Sequence, residues 1–188
     1  MESWKKLHRR SIRLQNYDYT QAGAYFVTLC TQDRRHLFGE IFQTQNEFKF
    51  TLSEGGKIAE RCWNEIPQHY PNVELDEFVI MPNHVHGVIV ITHTDEQYGD
   101  VVGANNHSPL QPTHTTNQHP RGTSKTVGAI VRGYKIGVTK WFRKNTQVRD
   151  VWQRNYYENI VRNNDDLNRI RKYINENPFH WNEDDHYS

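Results

Sequence analysis

The stretch Glu77-Phe-Val-Ile-Met-Pro-Asn-His-Val-His-Gly-Val-Ile-Val-Ile-Thr92 decides how the rest of the chain is read. Glu77 to Met81 and His84 to Thr92 have the β-branched, apolar composition of strands, and Pro82-Asn83 between them is a turn signal. In the second strand Val88 and Val90 share a face with the two histidines, whereas Val85, Ile89 and Ile91 share the other. Both faces of the expected sheet are therefore apolar. The basic N-terminal arm or a second subunit is expected to cover the further face.

Upstream, Ala24-Tyr-Phe-Val-Thr-Leu-Cys-Thr31 reads as a first strand and Phe48 to Leu52 as another, with the polar connection from Gln32 to Glu47 closing a hairpin between them. Ser53-Glu54-Gly55-Gly56 opens a helix on which Ile58, Cys62 and Ile66 recur at i+4, ending near Pro67. Downstream, residues 93–124 lose nearly all apolar side chains and read as a long polar loop; the four histidines there, His93, His107, His114 and His119, match no zinc spacing. Helical periodicity returns from Ser124 to Lys144, a strand is expected within Val151 to Ile160, and Asn164-Asp165-Asp166 caps a last helix running to Asn177, stopped by Pro178. The organisation is a basic arm at 1–18 and one α+β domain at 19–188.

The 188 residues suffice for a real core, and aromatic residues make up 12% of a chain whose mean hydropathy is only -0.92. The formal net charge is +1, so any polyanion surface must be local. It is found in two places. Lys5, Lys6, Arg9, Arg10 and Arg13 form an arm without an acid, and Arg121 to Arg149 carries eight basic residues and no acid. Arg9, Arg10 and Arg13, together with Arg132 and Lys135 on the polar side of the long helix, are the candidate nucleic-acid contacts. No run of residues is apolar enough for a membrane span or a signal peptide, which gives a cytoplasmic expectation and no membrane partner. Cys30 and Cys62 read as small buried hydrophobes.

His84-Val85-His86 is the sharpest local feature: residues i and i+2 of a strand project from one face, roughly 6.6 Å apart, and two imidazoles so placed can converge on one divalent ion. Tyr173 and Asn177 stand four apart on the last helix and project together. Taken singly, two surface histidines explain the first pair equally well, and a packing tyrosine with a helix end before proline explains the second better.

Taken in order, Tyr25-Phe-Val-Thr-Leu-Cys30, Phe78-Val-Ile-Met-Pro-Asn-His-Val-His86, Val151-Trp-Gln153 and Tyr173-Ile-Asn-Glu-Asn-Pro178 resemble the single-tyrosine HUH transposases, specifically the bacterial REP-associated tyrosine transposases. The resemblance covers nearly the whole chain. It implies a ferredoxin-like antiparallel sheet with helices mainly on one face, His84, His86 and Asn177 as ligands of Mg²⁺ or Mn²⁺, and Tyr173 as a nucleophile that cleaves and rejoins single-stranded or hairpin DNA through a 5′-phosphotyrosine. It also implies a monomer or homodimer at the bacterial nucleoid, and packing near the site for Trp152 and Gln153. A non-catalytic DNA-binding regulator derived from such an enzyme is the alternative. Tyr156 and Tyr157 are rivals for the nucleophile that lack a ligand at i+4.

Overall fold

The computed structural model describes residues 22–43, 48–92 and 126–183. The basic arm with Arg9, Arg10 and Arg13 and the polar segment 93–124 lie outside them. Among the described residues six strands and four α-helices follow in the order β1 Gly23–Cys30, β2 Gly39–Gln43, β3 Phe48–Leu52, α1 Glu54–Asn64, α2 Ile66–His69, β4 Val73–Ile80, β5 His84–Ile91, α3 Val127–Asn145, β6 Tyr157–Val161 and α4 Asn164–Glu176, the last running into a 3₁₀ helix, Asn177–Glu183.

The main sheet is antiparallel with the order β4-β5-β1-β6. Setting aside β2 and β3, the chain runs β1, α1, β4, β5, α3, β6, the split βαβ arrangement of the ferredoxin-like fold. The expected hairpin between β1 and Phe48–Leu52 does not form. Both edges of β1 are taken, by β5 and β6, and β3 pairs instead with β2 from within the polar connection, as a separate two-stranded sheet. At the other end of that sheet Ser53 caps α1, its Oγ accepting from the Gly56 amide at 3.0 Å.

Alternation along β1 and β5 sorts the core into two layers. Tyr25, Val27, Leu29, Val85, Ile89 and Ile91 face α1 and α3, meeting Trp63 of the first and Ile130, Tyr134 and Val138 of the second. Gly87 serves this packing, since a Cβ there would lie 2.3 Å from the Trp63 ring; without one, the indole lies against the strand backbone directly behind the histidine pair. On the opposite face Phe26 and Val88 meet Ile170 and Ile174 of α4. The second apolar face is thus covered by the chain's own last helix, and the expectation of an arm or second subunit there is corrected. Burying a side chain such as Ile174 is worth about 1.5–3 kcal/mol, enough for a few residues to hold a helix of this length in place.

An ion pair fixes the lie of α4. Between Leu75 and Phe78 the β4 register shifts, and Asp76 at this irregularity accepts two hydrogen bonds from Arg171, at 2.7 Å from Nε and 2.6 Å from Nη2. Those bonds, with one from the Glu77 amide, hold the Asp76 carboxyl below its ordinary value of 3.8. A depressed carboxylate pKa contributes stability above the ordinary value and loses it as pH falls through the lowered one. Asp76→Asn is therefore expected to lower the thermal midpoint by a few degrees at neutral pH, with wild type and variant converging as the pH drops below 3.8. Parallel unfolding curves across the acid range would show that the pair contributes nothing.

Candidate active site

β5 begins at the turn Pro82-Asn83, so His84 and His86 stand at the end of a central strand, facing α4. Both are fully buried, with ring centroids 4.4 Å apart. Each is oriented through Nδ1. His84 Nδ1 lies 2.8 Å from Asn83 Oδ1, an oxygen that can only accept, so Nδ1 carries the proton and Nε2 the lone pair. His86 Nδ1 lies 2.8 Å from Thr28 Oγ1, a hydroxyl that can donate or accept, across the β1–β5 pairing in which the two residues are partners; in the same tautomer as His84, His86 donates there. That tautomer leaves Nε2 to accept from the Tyr173 hydroxyl, 3.3 Å away.

Aromatic rings wall the pair. Phe26 stacks on His86 at 5.5 Å and meets the Tyr173 ring edge-on at 6.1 Å, while Trp181 stacks on His84 at 6.0 Å. Trp181 is buried, and His36 meets its ring edge-on. Tyr173 itself is 45% exposed, in contrast to the histidines, so the site opens to solvent on the tyrosine side.

Asn177 follows Tyr173 by one turn, buried, with its backbone amide donating to the Tyr173 carbonyl. Its φ and ψ are helical, and α4 ends at Glu176 with Asn177 as its C-cap, within one residue of the expected stop before Pro178; the chain then continues as the 3₁₀ helix that carries Trp181. The cap at the start of α4 is Asn163, one residue before the expected position, its side chain accepting from the Asp166 amide at 2.8 Å.

Among the described residues no three His, Cys, Asp or Glu side chains are grouped to hold a metal. A divalent ion at this site would rest on Nε2 of His84 and His86 and on neutral oxygen such as the Asn177 amide. Nitrogen donors fixed through their other ring nitrogen fit that role, and a mixed set of imidazole and oxygen suits Mn²⁺ better than Mg²⁺, which prefers oxygen alone.

The other candidates lie elsewhere. Arg132 is exposed on α3. Lys135 does not lie on the open side of that helix: its ammonium donates to the Gln153 and Asn155 carbonyls at 3.0 and 3.2 Å and sits 5.7 Å from the centre of the Trp152 ring. Burial lowers its pKa from 10.5 to about 8. Trp152 packs among Phe38 and Tyr134 on the α3 side of the sheet, away from the histidines, which corrects its expected place near the site. Tyr156 precedes β6 and bonds Glu158 at 2.6 Å; Tyr157 opens β6 opposite Thr28, in the cross-strand row of His86 but with Thr28 between them. Cys30 and Cys62 are half-buried, and neither is in a disulfide among the described residues.

Four residues of the site escape sequence reasoning. Asn83 stood in the turn signal, and its bond to the next residue is a local habit of Asn; Thr28, Phe26 and Trp181 reach the site only through strand pairing or the final turn.

No protein-family model matches the chain. It is 44% identical over 180 residues to an uncharacterized protein of Haemophilus influenzae, covering 96% of this chain and 93% of that one. It is 25% identical over 170 residues to a second Haemophilus influenzae protein, named "Putative REP-associated tyrosine transposase", covering 88% of this chain and 76% of the relative. Among solved structures, a REP-associated tyrosine transposase bound to a REP hairpin superposes with a TM-score of 0.53 over 90% of this chain and 74% of that one, at 16% identity, a likeness of fold. The chain therefore belongs to one family with the 44% identical Haemophilus protein, and it is related, in fold and distantly in sequence, to the REP-associated tyrosine transposases.

Proposed function

We propose that the chain is a metal-dependent transposase that cuts and rejoins single-stranded DNA at hairpin-forming repeats, with Tyr173 as nucleophile. The observation that carries the reading is the Tyr173 hydroxyl held 3.3 Å from Nε2 of a buried, oriented histidine pair. The name of the 25% identical relative and the hairpin bound to the solved neighbour support the choice of DNA.

The Tyr173 oxygen attacks phosphorus, the bond from phosphorus to the 3′ oxygen breaks, and the strand stays esterified to tyrosine through its 5′ phosphate. The phenolic hydrogen is balanced by the one gained at the departing 3′ oxygen, so the step needs no co-reactant. Attack by another strand's 3′-OH reverses the step and reseals the DNA without ATP. His84, His86 and Asn177 would hold a divalent ion, which when bound would withdraw charge from the nonbridging phosphate oxygens. Because Nε2 of His86 has a single lone pair, the phenol proton and the ion are alternatives at that atom. Asn83 keeps His84 in the ligating tautomer, Thr28 orients the His86 ring, and Phe26 and Trp181 keep the ring planes fixed. Among the described residues of the site Tyr173 is the exposed one, so a phosphate would approach the pair beside its ring, which suits a pliable single strand better than a stiff duplex.

The test is incubation of the purified chain with single-stranded hairpin oligonucleotides and Mn²⁺, followed by denaturing electrophoresis. A protein-DNA band that survives denaturation, with release of a fragment ending in a free 3′-OH, is expected. Hairpin binding without any such band would remove the catalytic reading.

A further inference from the structure

On the opposite side of the sheet from Tyr173, α3 turns an unusual stripe outward. Arg132, Ile136, Lys140 and Arg143 recur at i, i+4, i+8 and i+11 and so share one face. With Arg154 and Tyr156 they line a groove of about 650 Å³ between the helix and the segment entering β6. Among the described residues none lining this groove is acidic. Its centre is apolar: Ile136 is 60% exposed in the middle of the cations, an isoleucine whose solvent contact nothing in the fold requires. The walls are tied together. Lys135 joins α3 to the Gln153 and Asn155 carbonyls, and the Trp152 indole returns a bond to the Lys135 carbonyl at 3.2 Å.

We infer that this groove is a second binding site for single-stranded DNA, in which a base lies on Ile136 and Tyr156 while its flanking phosphates meet Arg132, Lys140, Arg143 and Arg154. The inference rests on the reading that the chain handles DNA. An aliphatic and aromatic floor takes the flat face of any base, and guanidinium groups on the rim take phosphate oxygens. A duplex keeps its base faces stacked inside and offers nothing to the floor. α3 packs on the Tyr25, Val27 and Leu29 face, and Tyr173 stands over the Phe26 and His86 face, so the strand held here is not the one at the reacting phosphate. The groove holds flanking strand while the cut ends are exchanged.

The test is fluorescence anisotropy of a labelled oligothymidine with the full chain over a range of salt. Ile136→Asp is expected to weaken binding by about tenfold, and Arg132→Ala with Lys140→Ala to flatten the salt slope by about two counterions. Lys57→Ala, which removes an exposed cation on α1, should leave the affinity unchanged. Photocrosslinks from a bromodeoxyuridine oligonucleotide should fall on peptides spanning 128–143 or 154–156. Wild-type affinity in both groove variants, with crosslinks elsewhere, would overturn the site while leaving DNA handling intact. Groove-dependent binding of polyglutamate with oligothymidine binding unaffected would overturn it in favour of an acidic protein partner. Failure of the wild-type chain to bind DNA at all would overturn both this site and the proposed function.

Discussion

Tyr173→Phe is expected to abolish the covalent protein-DNA adduct, lowering strand cleavage by at least about a thousandfold, while hairpin affinity stays within a few-fold of wild type. The substitution removes one oxygen. The phenyl ring keeps its edge contact with Phe26, and loss of the 3.3 Å bond to His86 costs roughly 0.5–1.5 kcal/mol, too little to unfold the chain. Tyr157→Phe should cleave normally, because Tyr157 lies opposite Thr28, with that residue between it and the histidine pair. Adduct formation by the Tyr173 variant at the wild-type rate, measured on the same denaturing gel, would assign the nucleophile elsewhere.

His84→Ala and His86→Ala should each reduce cleavage by about a hundredfold or more, and chelation of the wild-type protein should match them. Both histidines are fully buried and each bonds a polar neighbour, so truncation also leaves a cavity and strands Asn83 or Thr28, at a cost of roughly 2–4 kcal/mol. Chelation separates the two effects because it leaves the fold untouched. Asn177→Ala should weaken cleavage less and raise the metal concentration required. Thr28→Val, at a buried position, should raise that requirement by about 10–100-fold by removing the bond that orients the His86 ring. The measurement is cleavage rate against Mn²⁺ concentration, with thermal unfolding of each variant alongside. Full activity in chelator would remove the metal from the reaction.

The pairing of His84 with His86, and of Tyr173 with Asn177, was legible because each rests on the period of one element: two for a strand, about 3.6 for a helix. What joins the pairs is not local. The stripe Leu167, Ile170 and Ile174 announces that α4 buries a face, but nothing in it says which side of the sheet receives it. β4 was read four residues short because Asp76-Glu77 interrupts the alternation; the register shift there moves the period, and the charged residues serve α4 instead. β2 hides in a polar connection with only Ile41 and Phe42 to mark it. Lys135 falls on the polar side of its helix by periodicity, yet the returning segment 152–155 lies over it, a contact made by residues many positions away.

Because α4 is at once the lid of one core layer and the bearer of the proposed nucleophile, inheritance of the helix and inheritance of the proposed chemistry part company at single positions. A descendant that had given up cutting DNA would still need Ile170 and Ile174 against Phe26 and Val88, and would keep a helix of the same length in the same place. Loss of function in such a lineage would leave the backbone unmarked. It would be written first at the half-exposed Tyr173, whose replacement costs the fold little, and only later at the buried histidines, whose replacement costs it more.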